Sequence, residues 1–355
     1  MRMSYDKIDS FLIVPNQQST NEALFYNLSK ATHHNSECFV IIPYQNPQVN
    51  VINPTFFKVS NKKNIQLVAN PIETSNIRLT AKTSKQDYLN KIIELKKQIA
   101  YGNIYEINFC IEFYAEDVLI NPIDVFIKLQ QTSKAPYAAL VKLTDEYIIC
   151  ASPELFLKKK GNMISTKPIK GTIRRGKSLE EDDSLKHGLQ TSLKEQTENV
   201  MAVDVARNDL SKFAERGSVK VNKLYDIETF ETVHQMVSTV SCTINDKIHF
   251  SEILQATFPM ASMTGAPKLK AMTLIDKLEN FNRKYYSGAM GLIENTGDFT
   301  LSVIIRSIFW NQNTKRISVA VGGAITYLSD PEKEYEECLL KAQTMLHALN
   351  ATIHV

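Results

Sequence analysis

The sequence has no C-x-x-C pair. Its five cysteines (Cys38, Cys110, Cys150, Cys242 and Cys338) are odd in number and far apart, which argues against a disulfide framework or a cysteine zinc site and suits a reducing cytoplasm. No apolar run approaches the roughly eighteen residues of a membrane-spanning helix, and Met1 to Ser10 lacks the apolar core of an export signal, so a membrane partner and secretion are not expected. Charge of one sign is not in excess either. With 41 Lys+Arg against 38 Asp+Glu, the formal +3 is too weak a field to draw a nucleic acid or an anionic membrane surface. The H-E-x-x-H of metalloproteases, a Gly-x-Cys-x-Gly elbow, solenoid-length repeats and low-complexity tracts are also missing, which removes the motifs of hydrolase, glutaminase and repeat readings. What is present is 355 residues with 43% hydrophobic content, enough to bury a large core.

Periodicity gives a coarse map. The first 75 residues mix short apolar runs (Phe11 to Val14, Cys38 to Ile42, Ile65 to Ala69) with Asn, Gln and Pro, and read as strands and loops that could end near Pro71. Ser84 followed by Asp87 predicts a helix start; Tyr88, Ile92, Leu95 and Ile99 follow at helical spacing, and Gly102 supplies the stop. Tyr105, Ile107, Phe109, Ile111 and Phe113 then alternate with Glu106, Asn108, Cys110 and Glu112, the period of a strand with one apolar face. Tyr137 to Thr166 reads as an antiparallel meander of three runs turning at Thr144-Asp145-Glu146 and Lys160-Gly161-Asn162. Residues 185–213 and 266–280 read as helices, 286–327 as mostly strands, and Asp330-Pro331 opens a last helix. Strands and helices come in runs, so the expected class is α+β, a large antiparallel sheet system covered by helices.

Four constellations stand out. Glu195 with Glu198, and Glu334 with Glu337, are three apart on helices, so each pair projects from one face, and Lys341 shares the face of Glu337. Two converging carboxylate pairs are what Mg²⁺ coordination needs, although such pairs more often form solvated faces. Lys170, set between Pro168 and Gly171, is a candidate nucleophile if burial lowers its pKa, the plain alternative being a surface lysine in a turn. Thr264 and Gly265 open a helix start that includes Pro267 and whose backbone N–H groups could bind a carboxylate. Finally, Gly171-Thr172-Ile173-Arg174-Arg175-Gly176-Lys177-Ser178 matches the Walker A pattern, with Val200 to Asp204 imitating Walker B. The preceding Pro168 and the acidic run Glu180 to Asp183 argue against a nucleotide site.

Taken in order, the motifs resemble the chorismate-binding enzymes, which include anthranilate, aminodeoxychorismate, isochorismate and salicylate synthases. The resemblance runs over residues 84–350: Ser152-Pro153-Glu154, Pro168-Ile169-Lys170-Gly171-Thr172, Glu198-Asn199-Val200-Met201 through Arg207-Asn208-Asp209, Thr264-Gly265-Ala266-Pro267-Lys268, Tyr286-Ser287-Gly288, Ile305-Arg306-Ser307, and Asp330-Pro331-Glu332 through Glu337 to Lys341. It implies a four-layer α/β/β/α sandwich in which residues 84–350 form the catalytic domain and residues 1–75 are integrated into the same fold. It also implies Mg²⁺ bound directly by Glu198 and Glu337, with Glu195 and Glu334 supporting through water, and substrate carboxylates held by Tyr286, Arg306, Lys341 and the backbone near Thr264 and Gly265.

Lys170 is similar to the lysine of the aminodeoxychorismate branch, where anthranilate synthases carry alanine. That resemblance implies attack by Lys170 on C2 of chorismate, with Glu154 as general acid, followed by displacement by ammonia from a separate glutamine amidotransferase subunit. An anthranilate synthase large subunit, and a catalytically silent scaffold for the glutaminase, are the alternatives. Two departures are visible: Met260-Ala261 replaces the usual Gly-Gly, and Glu106 stands where ammonia-using members carry Gln. A carboxylate at Glu106 could hold ammonium or act as a base.

Overall fold

Ser84 caps the first helix as its signature predicts. Its hydroxyl accepts the Asp87 N–H at 3.1 Å, the helix spans Lys85–Ala100, and Tyr88, Ile92 and Leu95 are buried. The structure, a computed structural model, describes residues 9–15, 22–31, 37–44, 52–69 and 76–354; the boundary near Pro71 and most of the Met1–Ser10 segment lie outside them. The last helix, Pro331–Leu349, starts on Asp330, whose carboxylate accepts the Lys333 N–H at 3.0 Å. The two helices meet through Tyr88 and Tyr335, whose ring centroids are 5.3 Å apart.

Strand Glu106–Ala115 lies against these helices. Ile107, Phe109, Ile111 and Phe113 join Tyr88 and Tyr335 in the largest apolar cluster, as the alternation requires. The opposite face is not solvated: Glu106, Asn108, Cys110 and Glu112 are buried as well. This is an interior strand, paired antiparallel with Arg316–Ile325 on one side and with Ile77–Ala81 and Gly265–Ala266 on the other. Its polar face therefore has to satisfy its own charges.

Hydrogen bonding passes from strand to strand in one succession. From one end it runs Lys220–Thr229, Val233–Thr243, then Met163–Thr166 beside Ile169–Arg174, and on through Leu155–Lys160, Phe299–Val303 and Ala289–Ile293. It continues through Cys38–Ile42, Thr55–Gln66, Glu22–Ala31 and Ser10–Pro15 to Tyr137–Leu143. Glu146–Ser152, Ser307–Asn311, Arg316–Ile325, Glu106–Ala115, Ile77–Ala81 and Ala351–His354 complete it. Among the described residues only the last pairing is parallel. The early strands thus form the bridge between the two halves of the later chain.

Several boundaries differ from the sequence reading. Tyr137 to Thr166 holds four strands, because the middle run breaks at Pro153-Glu154. Glu146–Ser152 pairs with Tyr137–Leu143 and Ser307–Asn311, whereas Leu155–Lys160 pairs with Met163–Thr166 and Phe299–Val303. Pro153 has no N–H to give to a ladder, so the chain changes partners there and leaves Glu154 at the crossing. The single helix expected over 185–213 is two, Leu179–Thr191 and Leu193–Ser211, separated by Ser192, whose hydroxyl caps the second. The run Ile65 to Ala69 is not a strand of its own: Thr55–Gln66 ends inside it.

Gly265 shows how tightly one element is placed. Its φ of +148° is open to glycine, and a Cβ there would lie 2.2 Å from the Glu106 carbonyl oxygen. Gly265→Ala is expected to cost roughly 3 kcal/mol or more, from backbone strain plus displacement of the strand bearing Glu106, as read by chemical denaturation.

Candidate active site

A β-bulge sets the position of Lys170. The pairing of Ile169–Arg174 with Val233–Thr243 slips between Lys170 and Thr172, where Gly171 takes φ +74°. A Cβ on Gly171 would come within 2.8 Å of the Glu195 carboxylate, so the bulge also fixes how closely the carboxylate helix approaches. From the bulge the Lys170 ammonium donates to Glu106 Oε1 of the interior strand, and both side chains are buried.

This overturns one expectation. Burial alone would depress the lysine, but Glu106 first, then Glu198 and Glu154, outweigh it and hold the Lys170 pKa above its ordinary value. The resting group is an ammonium, and it becomes a nucleophile only when a neighbour takes its proton. Glu154 is also buried, and burial pushes its carboxyl up to about 7 against the opposing pull of Ser262 and Lys170.

Lys170 and Glu154 line a cavity of about 530 Å³. Glu195, Glu198, Tyr286, Arg306, Glu337 and Lys341 line it too, while Glu106 and Glu334 stand buried behind its wall. Arg306 takes φ +52° and donates to the Lys341 carbonyl at 3.0 Å, leaving further donors of its planar fork for a carboxylate. Lys341 donates to the Gly322 carbonyl at 2.9 Å and to Glu337 at 2.6 Å. Tyr286 is buried beside the Cys110 thiol, and its phenol is pushed well above the ordinary value by burial.

Two expected substrate contacts do not reach the cavity. The Thr264 hydroxyl is fully buried and donates to the Met260 carbonyl at 3.0 Å, so it caps no helix. Gly265 is engaged in its short pairing with Ile107. The following helix begins only at Lys268 and has no side-chain cap. Both residues position the Glu106 strand and line no part of the pocket.

The carboxylate pairs do converge. Leu193–Ser211 brings Glu195 and Glu198, and Pro331–Leu349 brings Glu334 and Glu337, to the same region. Glu198 and Glu334 are buried, and one oxygen of each, Glu198 Oε1 and Glu334 Oε2, has no hydrogen-bond partner. Burial raises the Glu198 carboxyl to about 8, against Lys170 and Lys194. Burial also acts to raise Glu337, but Lys341 and Lys194 outweigh it and leave that group below the ordinary range. Among the described residues no three such groups form a ready-made metal cage. The ammonium of Lys194 lies between them, 3.4 Å from Glu334, 3.6 Å from Glu337 and 3.8 Å from Glu198. An all-oxygen donor set with two buried oxygens that accept no hydrogen bond nonetheless fits the chemistry of a hard divalent cation.

The Walker-like segment is put to other uses. Gly171 lies within a strand, the Gly176 N–H donates to Asp182 at 2.6 Å and the Lys177 N–H to Glu181 at 2.6 Å, so the chain's own carboxylates fill the would-be phosphate cradle. The imitation Walker B run, Val200 to Asp204, is helical.

With this geometry in view, the profile of the chorismate binding enzymes matches residues 2–347. The chain belongs to that family. It is 40% identical over 269 residues to the chloroplastic aminodeoxychorismate synthase of Arabidopsis thaliana, covering 75% of this chain and 29% of that one. It is 35% identical over 265 residues to aminodeoxychorismate synthase component 1 of Bacillus subtilis, covering 74% and 56%. The chain therefore spans less than three-fifths of either relative. The crystal structure of anthranilate synthase component I from Streptococcus pneumoniae superimposes with a TM-score of 0.73 at 26% identity, covering 86% of this chain and 80% of that one.

Within this chorismate-binding enzyme, the Met260-Ala261 departure is accommodated without strain. Met260 adopts φ −65°, which any residue can take, and its side chain is buried in an apolar cluster, so glycine is not required there. The sequence reading passed over Lys194, Asn108, Gln235 and Ser262, all of which line the cavity. Lys194 had a signal, its four-residue spacing to Glu198. Gln235 had none, because its strand was not read from the sequence.

Proposed function

We propose that this chain converts chorismate and ammonia to 4-amino-4-deoxychorismate, as the synthase component of a two-chain enzyme. The observation that carries the reading is Lys170, buried in the cavity wall between a carboxylate that can take its proton and one that can give a proton. Lys170 passes a proton to Glu106 and its amine attacks C2, both ring double bonds shift towards C4, and the C4 hydroxyl leaves as water with the proton of Glu154. Ammonia then attacks C4 and gives up a proton to the Glu154 carboxylate, both double bonds shift back, and the bond from C2 to Lys170 breaks; the freed amine takes its proton back from Glu106, so hydroxyl is exchanged for amine and no pyruvate is lost. Arg306 and Lys341 hold substrate carboxylates, and Tyr286 closes the pocket behind them.

Glu198 and Glu337 would hold Mg²⁺ directly, with Glu195 and Glu334 supporting through water. The ion would neutralise and polarise the ring carboxylate. Ammonia would come from a separate glutamine amidotransferase chain in the cytoplasm, a reading supported by the words "component 1" in the name of the Bacillus subtilis relative. The same reading takes the fold as a four-layer α/β/β/α sandwich of mainly antiparallel sheets.

Mass-spectrometric product analysis with chorismate, Mg²⁺ and an ammonium salt tests the proposal. Aminodeoxychorismate supports it. Anthranilate with pyruvate would move the chain to the anthranilate synthases, and no turnover even with a glutaminase partner would leave a scaffold. Glu106→Gln is expected to lower the ammonia-dependent rate by roughly 10²-fold, the scale of a positioned base. An unchanged rate would remove Glu106 from that role.

A further inference from the structure

The carboxylate cluster carries its own cation. Glu198, Glu334 and Glu337 come from two helices far apart in the chain, and two of the three are buried, so their mutual repulsion needs an internal answer. Lys170 is committed to Glu106 by a direct bond, and Lys341 is held by Glu337 and the Gly322 carbonyl. Among the described residues only the Lys194 ammonium lies within 4 Å of all three, at 3.4, 3.6 and 3.8 Å. Those distances are longer than the 2.6 Å pair of Lys341 with Glu337, so Lys194 is shared among the three and locked to none.

We propose that Lys194 is a tethered counter-ion which holds the cluster together before a divalent cation arrives and which that cation displaces on binding. The inference rests on the Mg²⁺ reading of the site. Four carboxylates, Glu195, Glu198, Glu334 and Glu337, set against the two ammoniums of Lys194 and Lys341 remain under-neutralised, and a divalent ion answers them better. The Lys194 side chain is 41% exposed and sits in the first turn of its helix, so its flexible stem can swing the ammonium into water without disturbing the helix. Because the ion binds only when the lysine is out, the observed affinity is reduced by the fraction of molecules in which the ammonium is in place. Lys194 thus sets the Mg²⁺ concentration at which the site fills.

Two measurements on the whole chain test this without reference to turnover. In calorimetric titration with Mg²⁺, Lys194→Met is expected to bind about tenfold tighter than wild type. Its metal-free melting temperature is expected to fall and to recover when Mg²⁺ is added. In wild type, reductive methylation of the Lys194 amine, followed by mass spectrometry, is expected to speed up several-fold on adding Mg²⁺; this second measurement carries the test if the variant does not fold. Equal or weaker Mg²⁺ binding by the variant, or a labelling rate indifferent to Mg²⁺, overturns the role of Lys194. Failure of both proteins to bind Mg²⁺ overturns the metal reading on which it stands.

Discussion

Lys170→Ala is expected to reduce formation of aminodeoxychorismate by roughly three orders of magnitude or more, the scale on which deletion of a covalent nucleophile acts. The lysine is buried, set beside a bulge, and joined to Glu106. Removing it has a second effect, because a buried carboxylate loses its partner, and breaking such a pair costs about 3–5 kcal/mol. The double variant Lys170→Met with Glu106→Gln removes both charges, keeps most of the volume, and is expected to recover much of the stability while staying inactive. Measured by chromatography with thermal melts in parallel, that combination separates lost chemistry from lost folding. A double variant that regains turnover would eliminate the covalent route.

The second large effect belongs to Glu154. In the proposed reaction Glu154 protonates the leaving hydroxyl and has to carry a proton in the free enzyme, and burial holds its pKa at about 7. The sign follows directly: the acid form prevails below that value and is lost as pH rises through it. At a fixed concentration of free ammonia, kcat/KM should therefore fall about tenfold per pH unit above the pKa. Glu154→Gln keeps the shape but has no acidic proton to give, and is expected to lose 10²- to 10⁴-fold, roughly the range for general acids. Its remaining rate should no longer show that limb. A Glu154→Gln profile that still bends near pH 7 would assign the titration to another group.

Much of this site is legible in the chain. The Ser84 and Asp330 caps fix the starts of the two helices that meet at Tyr88 and Tyr335, because capping and 3.6-residue periodicity are local rules that the packing of these two helices also satisfies. The alternation of Glu106 to Phe113 gives a strand with Glu106 and Asn108 on one face. What alternation could not say is that the second face is buried too, since that depends on what packs there. Thr264 and Gly265 misled for a related reason: a capping residue beside glycine is a common helix start, but here the hydroxyl turns back to Met260 and the glycine admits a neighbouring strand.

By itself the sequence determined the residue types and their local spacing: the two Glu pairs, a lysine between proline and glycine, and the helix starts at Ser84 and Asp330. Their joint resemblance was enough to point to the family. Only the tertiary structure decided the charges those residues carry. Lys170 is held as an ammonium because Glu106, some sixty residues earlier, is folded against it. Glu154 is poised near neutrality because burial strips its water. Lys194 lies among three carboxylates because two distant helices converge on it. Protonation depends on desolvation and on through-space neighbours, and neither is written in the order of residues along the chain.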